Sequence, residues 1–175
     1  GDHVLVEPHL CVGCGACTTV CPSGALGYAY PSVPDLALRI KAALATYASA
    51  GGRDACLLLH AEDGRAAIAR NARRGNGLPA RVIPIEIHHI ASTGLDLWLA
   101  AVAWGASQVA VVATGDEAPQ YREALAFQMR IADTIANALG YQGEHFRIVD
   151  GDRLAALAAW APALGPRISA AFAAT

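Results

Sequence analysis

The sequence predicts an α/β protein in which a small cysteine-rich module precedes a four-stranded, parallel, doubly wound sheet. Three observations support this fold class. Four of the five cysteines fall within the first 21 residues. Four short apolar segments then alternate with segments of helical periodicity, an order typical of parallel βα units. The composition, 54% hydrophobic and 16% charged over 175 residues, supplies a sizeable core and excludes a globally disordered chain.

The clustered cysteines are spaced as metal ligands. Cys11, Cys14, Cys17 and Cys21 form the pattern C-x2-C-x2-C-x3-C, followed by Pro22. Disulfides within this run would close only very small loops, so the spacing indicates ligation in a reducing compartment, and we expect a cytoplasmic protein. Zinc sites usually separate two cysteine pairs by a longer insert, whereas this run is that of bacterial [4Fe–4S] proteins. We therefore predict that all four cysteines bind [4Fe–4S] clusters.

The residues around the run resemble one half of a bacterial two-cluster ferredoxin, from about residue 4 to residue 28. Two glycines inside the run permit a tight turn that brings backbone N–H groups towards the sulfurs. One helical turn is expected within residues 15–20, and short strands over 3–7 and 24–28. The resemblance implies a ferredoxin-like electron-transfer module, which we assign to residues 1–30.

A single run leaves the fourth ligand of its cluster open. In two-cluster ferredoxins the first three cysteines of a run bind one cluster and the fourth binds the other. Cys21 could close the local cluster, Cys56 could act as a remote fourth ligand, or a sister motif could lie upstream in a longer protein. The chain begins with Gly1 rather than Met, and we favour the upstream motif. Cys56 itself lies in an apolar segment and is expected to be a core residue.

Residues 34–165 are predicted to form the doubly wound, flavodoxin-like domain, after a proline-containing linker at 30–34. Strands are expected over 55–60, 81–87, 108–113 and 146–149, and helices over 34–50, 65–72, 92–104, 119–139 and 153–160. In the longest helix, Phe127 and Ile131 are separated by one turn and are expected to face the core. The final residues, 166–175, form a tail to which no element is assigned.

Polar residues follow each predicted strand. In open α/β sheets, ligands bind beyond the carboxyl ends of the strands. The residues expected at that edge are His60, Glu62, Asp63, Gly64, His88, His89, Thr114, Gly115, Asp116, Glu117, Asp150, Gly151 and Asp152. We interpret them mainly as ordinary loop and helix-capping residues, with Ser92 or Thr93 capping the 92–104 helix. The segment 114–116, just ahead of a predicted helix, could cradle an anion.

A second resemblance covers about 70 residues. The matching segments are 82–86, 95–106, which ends in a Trp-Gly-Ala step, 109–115, 129–140 and 146–149. They resemble the delta-subunit-type domain of methyl-viologen-reducing hydrogenases and heterodisulfide reductase complexes. In that family the loop after the apolar strand carries cysteines for a two-iron cluster, whereas residues 113–119 contain none, so that cluster is not carried over. A ferredoxin run fused to such a domain resembles a proteobacterial group of larger [4Fe–4S] binding proteins.

Together these features predict a fragment of a larger iron–sulfur protein, in which the cluster passes single electrons and the α/β domain is a docking scaffold. The resemblance implies a redox partner protein, an oxidoreductase such as a formate dehydrogenase or hydrogenase type complex. A net charge of −2 with interspersed signs argues against nucleic acid and membrane-surface partners, and no apolar run is long enough to span a membrane. The alternatives are an accessory factor for assembling a redox enzyme and a catalytic α/β domain.

Overall fold

The structure, a computed structural model, describes residues 3, 5–28, 32–75 and 77–166, so the tail beyond residue 166 lies outside it. The helices are α1 (Ala16–Thr19), α2 (Val33–Ser49), α3 (Glu62–Arg73), α4 (Leu95–Ala103) and α5 (Pro119–Ala138). The strands are β1 (Cys56–His60), β2 (Val82–Glu86), β3 (Gln108–Ala113) and β4 (Phe146–Asp150). Short 3-10 helices occur at Ile90–Ser92 and Leu154–Ala158. Within the described part of the chain, no helix is both long and apolar enough to cross a membrane.

The four strands form one all-parallel sheet in the order β2-β1-β3-β4. This order matches the first four strands of the flavodoxin type, so the predicted fold class is confirmed. Every residue of the two central strands, β1 and β3, is buried, as a continuous apolar run in a doubly covered sheet requires. Pro84 lacks a backbone N–H and predicts an edge position, and β2 is indeed an edge strand.

Helices cover both faces of the sheet because alternate strand residues point to opposite sides. One layer places α2, α4 and α5 on the sheet, and its buried residues include Ile40, Leu57, Leu59, Trp98, Val109, Val111 and Met129. The other layer places α3 and the second 3-10 helix on the opposite face, with Cys56, Leu58, Ala67, Ala110, Val112 and Leu157. The doubly wound architecture therefore rests on two continuous apolar cores.

Two predicted helices differ from the structure at their ends. Neither Ser92 nor Thr93 caps α4, because a 3-10 helix intervenes and α4 begins after Gly94, which has no side chain to cap it. The first N–H of α4, at Leu95, instead donates to Gln128 Oε1 at 3.2 Å, a side chain of α5. The segment predicted as a helix over 153–160 is the short 3-10 helix Leu154–Ala158.

The core-facing side of α5 is not the one predicted. Phe127 is 57% exposed, and the Arg130 guanidinium lies 5.6 Å from the centre of its ring. The buried positions of the helix are Leu125, Gln128, Met129, Ala132 and Ala136, a stripe spaced by three and four residues. The pair Phe127 and Ile131 obeys the same spacing, but its stripe is rotated away from the core.

The cysteine-rich module has little regular structure of its own. The expected helical turn is present as α1, whereas the two short strands are wrong, because none of the described residues in 3–28 belongs to a strand. Several of its large apolar side chains are exposed, namely Leu5, Val6, Leu10, Val12 and Val20. The module therefore depends on contacts beyond its own residues for its shape.

Candidate iron–sulfur cluster site

Three of the four clustered cysteines lie around one aromatic ring. Burial, and then the negative charges of Cys11, Cys14 and Cys17, raise the pKa of Tyr28. The Tyr28 hydroxyl donates to the backbone carbonyl of Gly13, and the N–H of Gly13 donates to Cys11 Sγ at 3.4 Å. The loop from residue 11 to residue 17 thus folds over Tyr28 with its thiols exposed or half-buried.

Two glycines make this fold of the loop possible. Gly13 has φ 68° and Gly15 has φ 76°, both in the left-handed region that side chains with a Cβ rarely adopt. Gly15 is also buried, and a Cβ placed on it would lie 2.9 Å from Ser92 Cβ and 3.2 Å from Tyr28 Cδ2. Position 15 therefore requires glycine for its backbone conformation and for its close approach to the sheet domain.

Cys21 occupies a separate environment. Its Sγ lies 3.5 Å from Ser23 Oγ. Hydrogen bonds from the Ser23 side chain and from the backbone of Leu26, Ser23 and Ala25 lower the pKa of Cys21 from 9.0 to about 7. The cysteine charges that raise the pKa of Tyr28 are those of Cys11, Cys14 and Cys17. The run is divided into a group of three thiols and a fourth thiol in its own nest of N–H groups.

The donor set of the module fits an iron–sulfur cluster. Thiolates are soft ligands that favour Fe–S centres, and backbone N–H groups beside the sulfurs stabilise a negatively charged cluster. No three His, Cys, Asp or Glu side chains of the described residues converge closely enough to hold a single metal ion. A four-iron cluster differs in that each thiolate binds its own iron, so its ligands stand around a larger body.

The cluster loop rests on the carboxyl edge of the sheet. His88, two residues beyond β2, has its Nε2 3.1 Å from the Gly13 carbonyl oxygen, and its ring centre is 5.5 Å from that of Tyr28. At the far end of the loop, Gln128 Nε2 of α5 donates to Thr19 Oγ1 at 3.5 Å. The edge at which doubly wound folds usually bind their ligands is here in contact with the cluster loop.

A tyrosine at the start of α5 lies beside the cysteine loop, where Tyr121 and Cys17 line the same cavity. The Cys14 side chain, as a hydrogen-bond partner and then as a negative charge, raises the pKa of Tyr121. The ring of His89 packs edge-on against Tyr121, with centres 5.0 Å apart and planes at 77°. Burial, and then the charge of His88, lower the pKa of His89, which favours its neutral form. Its Nδ1 accepts a hydrogen bond from the Ala91 N–H at 3.1 Å.

Sequence reasoning missed the contacts of Tyr121 and of the two histidines. It interpreted residues 88 and 89 as a polar loop pair and gave Tyr121 no role. The available signal was their position, since both histidines follow β2 and Tyr121 is the third residue of the helix after β3. Loops at the carboxyl ends of neighbouring strands meet at one edge, so these side chains were candidates to contact whatever lies there.

The anion cradle expected at residues 114–116 is filled by the protein itself. The Glu117 carboxylate accepts from the N–H groups of Thr114 at 3.0 and 3.1 Å and of Gly115 at 2.9 Å. Although burial opposes ionisation, these hydrogen bonds lower the pKa of Glu117. Nearby, Asp150 pairs with Arg122 at 2.8 Å. The carboxylates of Glu117 and Asp150 at this edge therefore interact with other groups of the protein itself.

Cys56 is a core residue, as predicted. It is fully buried at the amino end of β1, and burial raises its pKa to about 11. The cluster loop lies at the other edge of the sheet, beyond the carboxyl ends of the strands. A five-residue strand such as β1 spans about 13 Å, so Cys56 is not placed to act as the remote fourth ligand.

Comparison with known proteins agrees with the geometry of the loop. A search of curated proteins gives no match for the chain. Residues 3–26 match a family described as a 4Fe-4S binding domain. The match includes the whole cysteine run, and the cofactor of this segment is a [4Fe–4S] cluster, as the spacing predicts. The chain therefore carries a 4Fe-4S binding domain against the carboxyl edge of a parallel α/β sheet.

Proposed function

We propose that the chain is an electron-transferring part of a larger iron–sulfur protein. Cys11, Cys14 and Cys17 bind one [4Fe–4S] cluster, and Cys21 binds a second. When bound, such a cluster accepts and releases single electrons. The observation that carries the proposal is the match of residues 3–26 to a 4Fe-4S binding domain. The grouping of three thiols around Tyr28, with the fourth in its own hydrogen-bonded nest, supports the division of ligands.

The missing ligands come from a sister cysteine motif outside residues 3–28. The surface around the thiols suits a protein partner, because it exposes five large apolar side chains and residues 1–38 contain no Lys or Arg. A second half-ferredoxin covering this surface would exclude water from the clusters and supply the complementary cysteines. The likeness of residues 82–149 to delta-subunit-type domains supports a setting in a cytoplasmic electron-transfer complex of the proteobacterial kind.

The α/β domain serves as the scaffold that holds the cluster module and docks the redox partner. In this division residues 1–30 are the module, 34–165 the scaffold and 166–175 a tail. Contacts of the loop with His88, Ser92 and Gln128 support the first role, since they fix the module on a rigid sheet edge. The redox partner is an oxidoreductase such as a formate dehydrogenase or hydrogenase type complex.

Anaerobic reconstitution of the chain with ferrous iron and sulfide tests the proposal. An excess of 2-mercaptoethanol supplies a substitute for the absent fourth ligand. We expect iron and acid-labile sulfide to bind in equal amounts, and a paramagnetic signal to appear by EPR on reduction with dithionite. Without the small thiol, the cluster is held poorly.

Two results would contradict the proposal. Uptake of zinc without iron and sulfide would identify a different metal site. A tight protein partner found for a chain that never holds a redox-active cluster would favour the role of an assembly factor. Loading that is full and stable without added thiol would contradict the sister motif alone, because it would mean that Cys21 closes the local cluster.

A further inference from the structure

We propose that β4 pairs with β4 of a second copy of this chain, so that two sheets join edge to edge in antiparallel orientation. β4 is an edge strand, and no described strand pairs with its outer side. The His145 carbonyl accepts from the Val109 N–H of β3 at 2.8 Å. Because such bonds alternate along a parallel strand, the N–H and C=O groups of Phe146 and Ile148 point away from the sheet.

The two edges of the sheet differ in their protection against further pairing. At the β2 edge, the Ile87 N–H donates to the His60 carbonyl of β1 at 2.9 Å. By the same alternation, position 84 faces outward, and Pro84 has no N–H to offer there. β4 (Phe146–Asp150) contains no proline. The protein therefore blocks one edge of the sheet and leaves the other open.

A groove of about 320 Å³ follows the open edge between β4 and α5. Met129, Phe146 and Ile148 give it an apolar floor, and Arg130 lies at its rim. Ile148 is half-buried, although its side chain is on the face of the sheet that α5 covers. A strand added to β4 would cover this side chain and also pair the outward backbone groups.

The alignment of α5 with β4 sets the geometry of such a pairing. At one end of β4, Arg122 of α5 donates to the Asp150 carboxylate at 2.8 Å. At the other end, Asp133 of α5 accepts from the His145 N–H at 3.4 Å. The helix therefore runs antiparallel to the strand. Residues 122–133 of the helix and 145–150 of the strand both span about 16 Å, so their levels correspond evenly.

A two-fold axis at Ile148 brings complementary charges together. By proportion, Ile148 is level with the point between residues 126 and 127 of α5. Positions 123 and 130 are equally far from that point, so Glu123 of each copy faces Arg130 of the other. Both side chains are exposed and lie on the same side of α5, about two helical turns apart. These reciprocal pairs favour a second copy of the chain over an unrelated strand.

The pairing leaves the cluster modules accessible. Each cluster loop rests beyond the carboxyl ends of the strands, where His88 contacts Gly13. In an antiparallel pair these ends point in opposite directions, so the two modules lie at opposite ends of the dimer. Each module can still meet a sister motif. Dimerisation requires no bound cluster and can be tested on the full chain with or without iron.

Sedimentation equilibrium of the full chain tests the pairing, in a reductant that prevents disulfide links between exposed cysteines. We expect a reversible dimer. Glu123→Arg and Arg130→Glu each place like charges across the axis, so each variant alone should raise the dissociation constant roughly tenfold. An equimolar mixture of the two variants restores dimers, because every pair across the axis then joins opposite charges. Arg73→Glu makes the same charge change at the exposed end of α3 and keeps the wild-type constant.

Amide hydrogen exchange locates the interface. The outward N–H of Ile148 should exchange more slowly as the protein concentration rises, whereas the outward N–H of Glu86 on β2 keeps its rate. A chain that stays monomeric at the concentrations used for NMR would overturn the inference. So would a mixture of the two variants that associates no better than either alone, or equal behaviour of the two amides. A chain that dimerises but never binds iron would contradict the proposed function alone.

Discussion

The two parts of the chain place the same residue type in opposite environments. In the sheet, Cys56 is fully buried inside a strand, and its pKa is raised to about 11. In the module, the cysteines lie exposed or half-buried on a glycine-bent loop. In the buried strand, the cysteine side chain packs in the core as a small hydrophobic residue. In the loop, the left-handed glycines turn the backbone so that the cysteine thiols are accessible as ligands.

The sheet and the cysteine-rich module also differ in what stabilises their folded structure. The sheet is stabilised by apolar layers on both faces, while the module exposes most of its large apolar side chains. A segment with so little buried surface gains its order from the group it binds and from the surface it rests on. The following predictions test that difference, from the largest expected effect to the smallest.

Substitution of the cysteines gives the largest contrast. Cys14→Ala removes one of the three grouped thiols, and we expect the iron content after reconstitution with 2-mercaptoethanol to fall to background. Cys56→Ala is the matched control and keeps the wild-type iron content, because its thiol lies in the core. It lowers the free energy of unfolding by about 1 kcal/mol, through the small cavity left behind. Loss of iron in Cys56→Ala, with the fold intact, would assign Cys56 to the cluster.

Removal of iron is expected to change the amide hydrogen exchange of the cysteine loop but not that of the central strands. In the metal-free chain we expect the amides of residues 11–21 to exchange at least tenfold faster than in the loaded chain. The amides of β1 and β3 keep their protection, since both strands are buried and paired on each side. Mass spectrometry of deuterated peptides measures both regions in one sample. Equal loss of protection in both would mean that the sheet also depends on the cluster.

Two glycine substitutions distinguish the cost of backbone strain from the cost of disturbing the contact between the cysteine loop and Ser92. Gly15→Ala and Gly24→Ala each place a Cβ at a positive φ, at a cost of about 1–2 kcal/mol. A Cβ at Gly15 also meets Ser92, whereas nothing lies within 4 Å of one at Gly24. The extra overlap costs about 1–3 kcal/mol, so we expect an iron chelator to strip the cluster about tenfold faster from Gly15→Ala than from Gly24→Ala. Equal rates would show that the loop does not rest on Ser92.

Most of the sheet could be predicted because its signals are local. The run over Gln108–Ala113 is apolar throughout, and the structure has a strand with those bounds. The break of α4 after a 3-10 helix could not be predicted, since its first N–H is satisfied by Gln128, far away in sequence. Phe127 shows a related limit. A spacing of four residues predicts a helical stripe but does not say which stripe faces the core.

The cluster motif was also predicted from spacing, but its surroundings were not. The cysteine pattern predicts its cofactor, because the ligand type and the spacing alone identify the group that binds. The contacts of His88 and Tyr121 depend on which surface the loop rests against, and no local pattern encodes that. The N–H nest of Cys21 is an intermediate case, since Pro22, Ser23 and Gly24 indicate a turn but not where its N–H groups point.

The smallest expected effect concerns the protonation of Cys21. Its pKa of about 7, against an ordinary value of 9.0, means that the folded state favours the thiolate. The resulting stabilisation is complete above pH 9 and is lost as the pH falls through 7. In the reduced, metal-free chain, alkylation of Cys21 by iodoacetamide should therefore show a midpoint near pH 7. Cys56, with a pKa of about 11 and no exposure, stays unmodified until the protein unfolds.

Substitution of Ser23 tests the cause of that shift. Because the Ser23 side chain is the largest contributor, Ser23→Ala should move the midpoint upwards, while the backbone bonds from Leu26 and Ala25 keep it below 9. Ser49→Ala is the control, since the Ser49 hydroxyl donates to the Thr46 carbonyl at the end of α2. Peptide fragmentation assigns the label to each cysteine. An unchanged midpoint in Ser23→Ala would mean that the backbone N–H groups alone stabilise the thiolate of Cys21, in contrast to Cys56, whose pKa is set by burial.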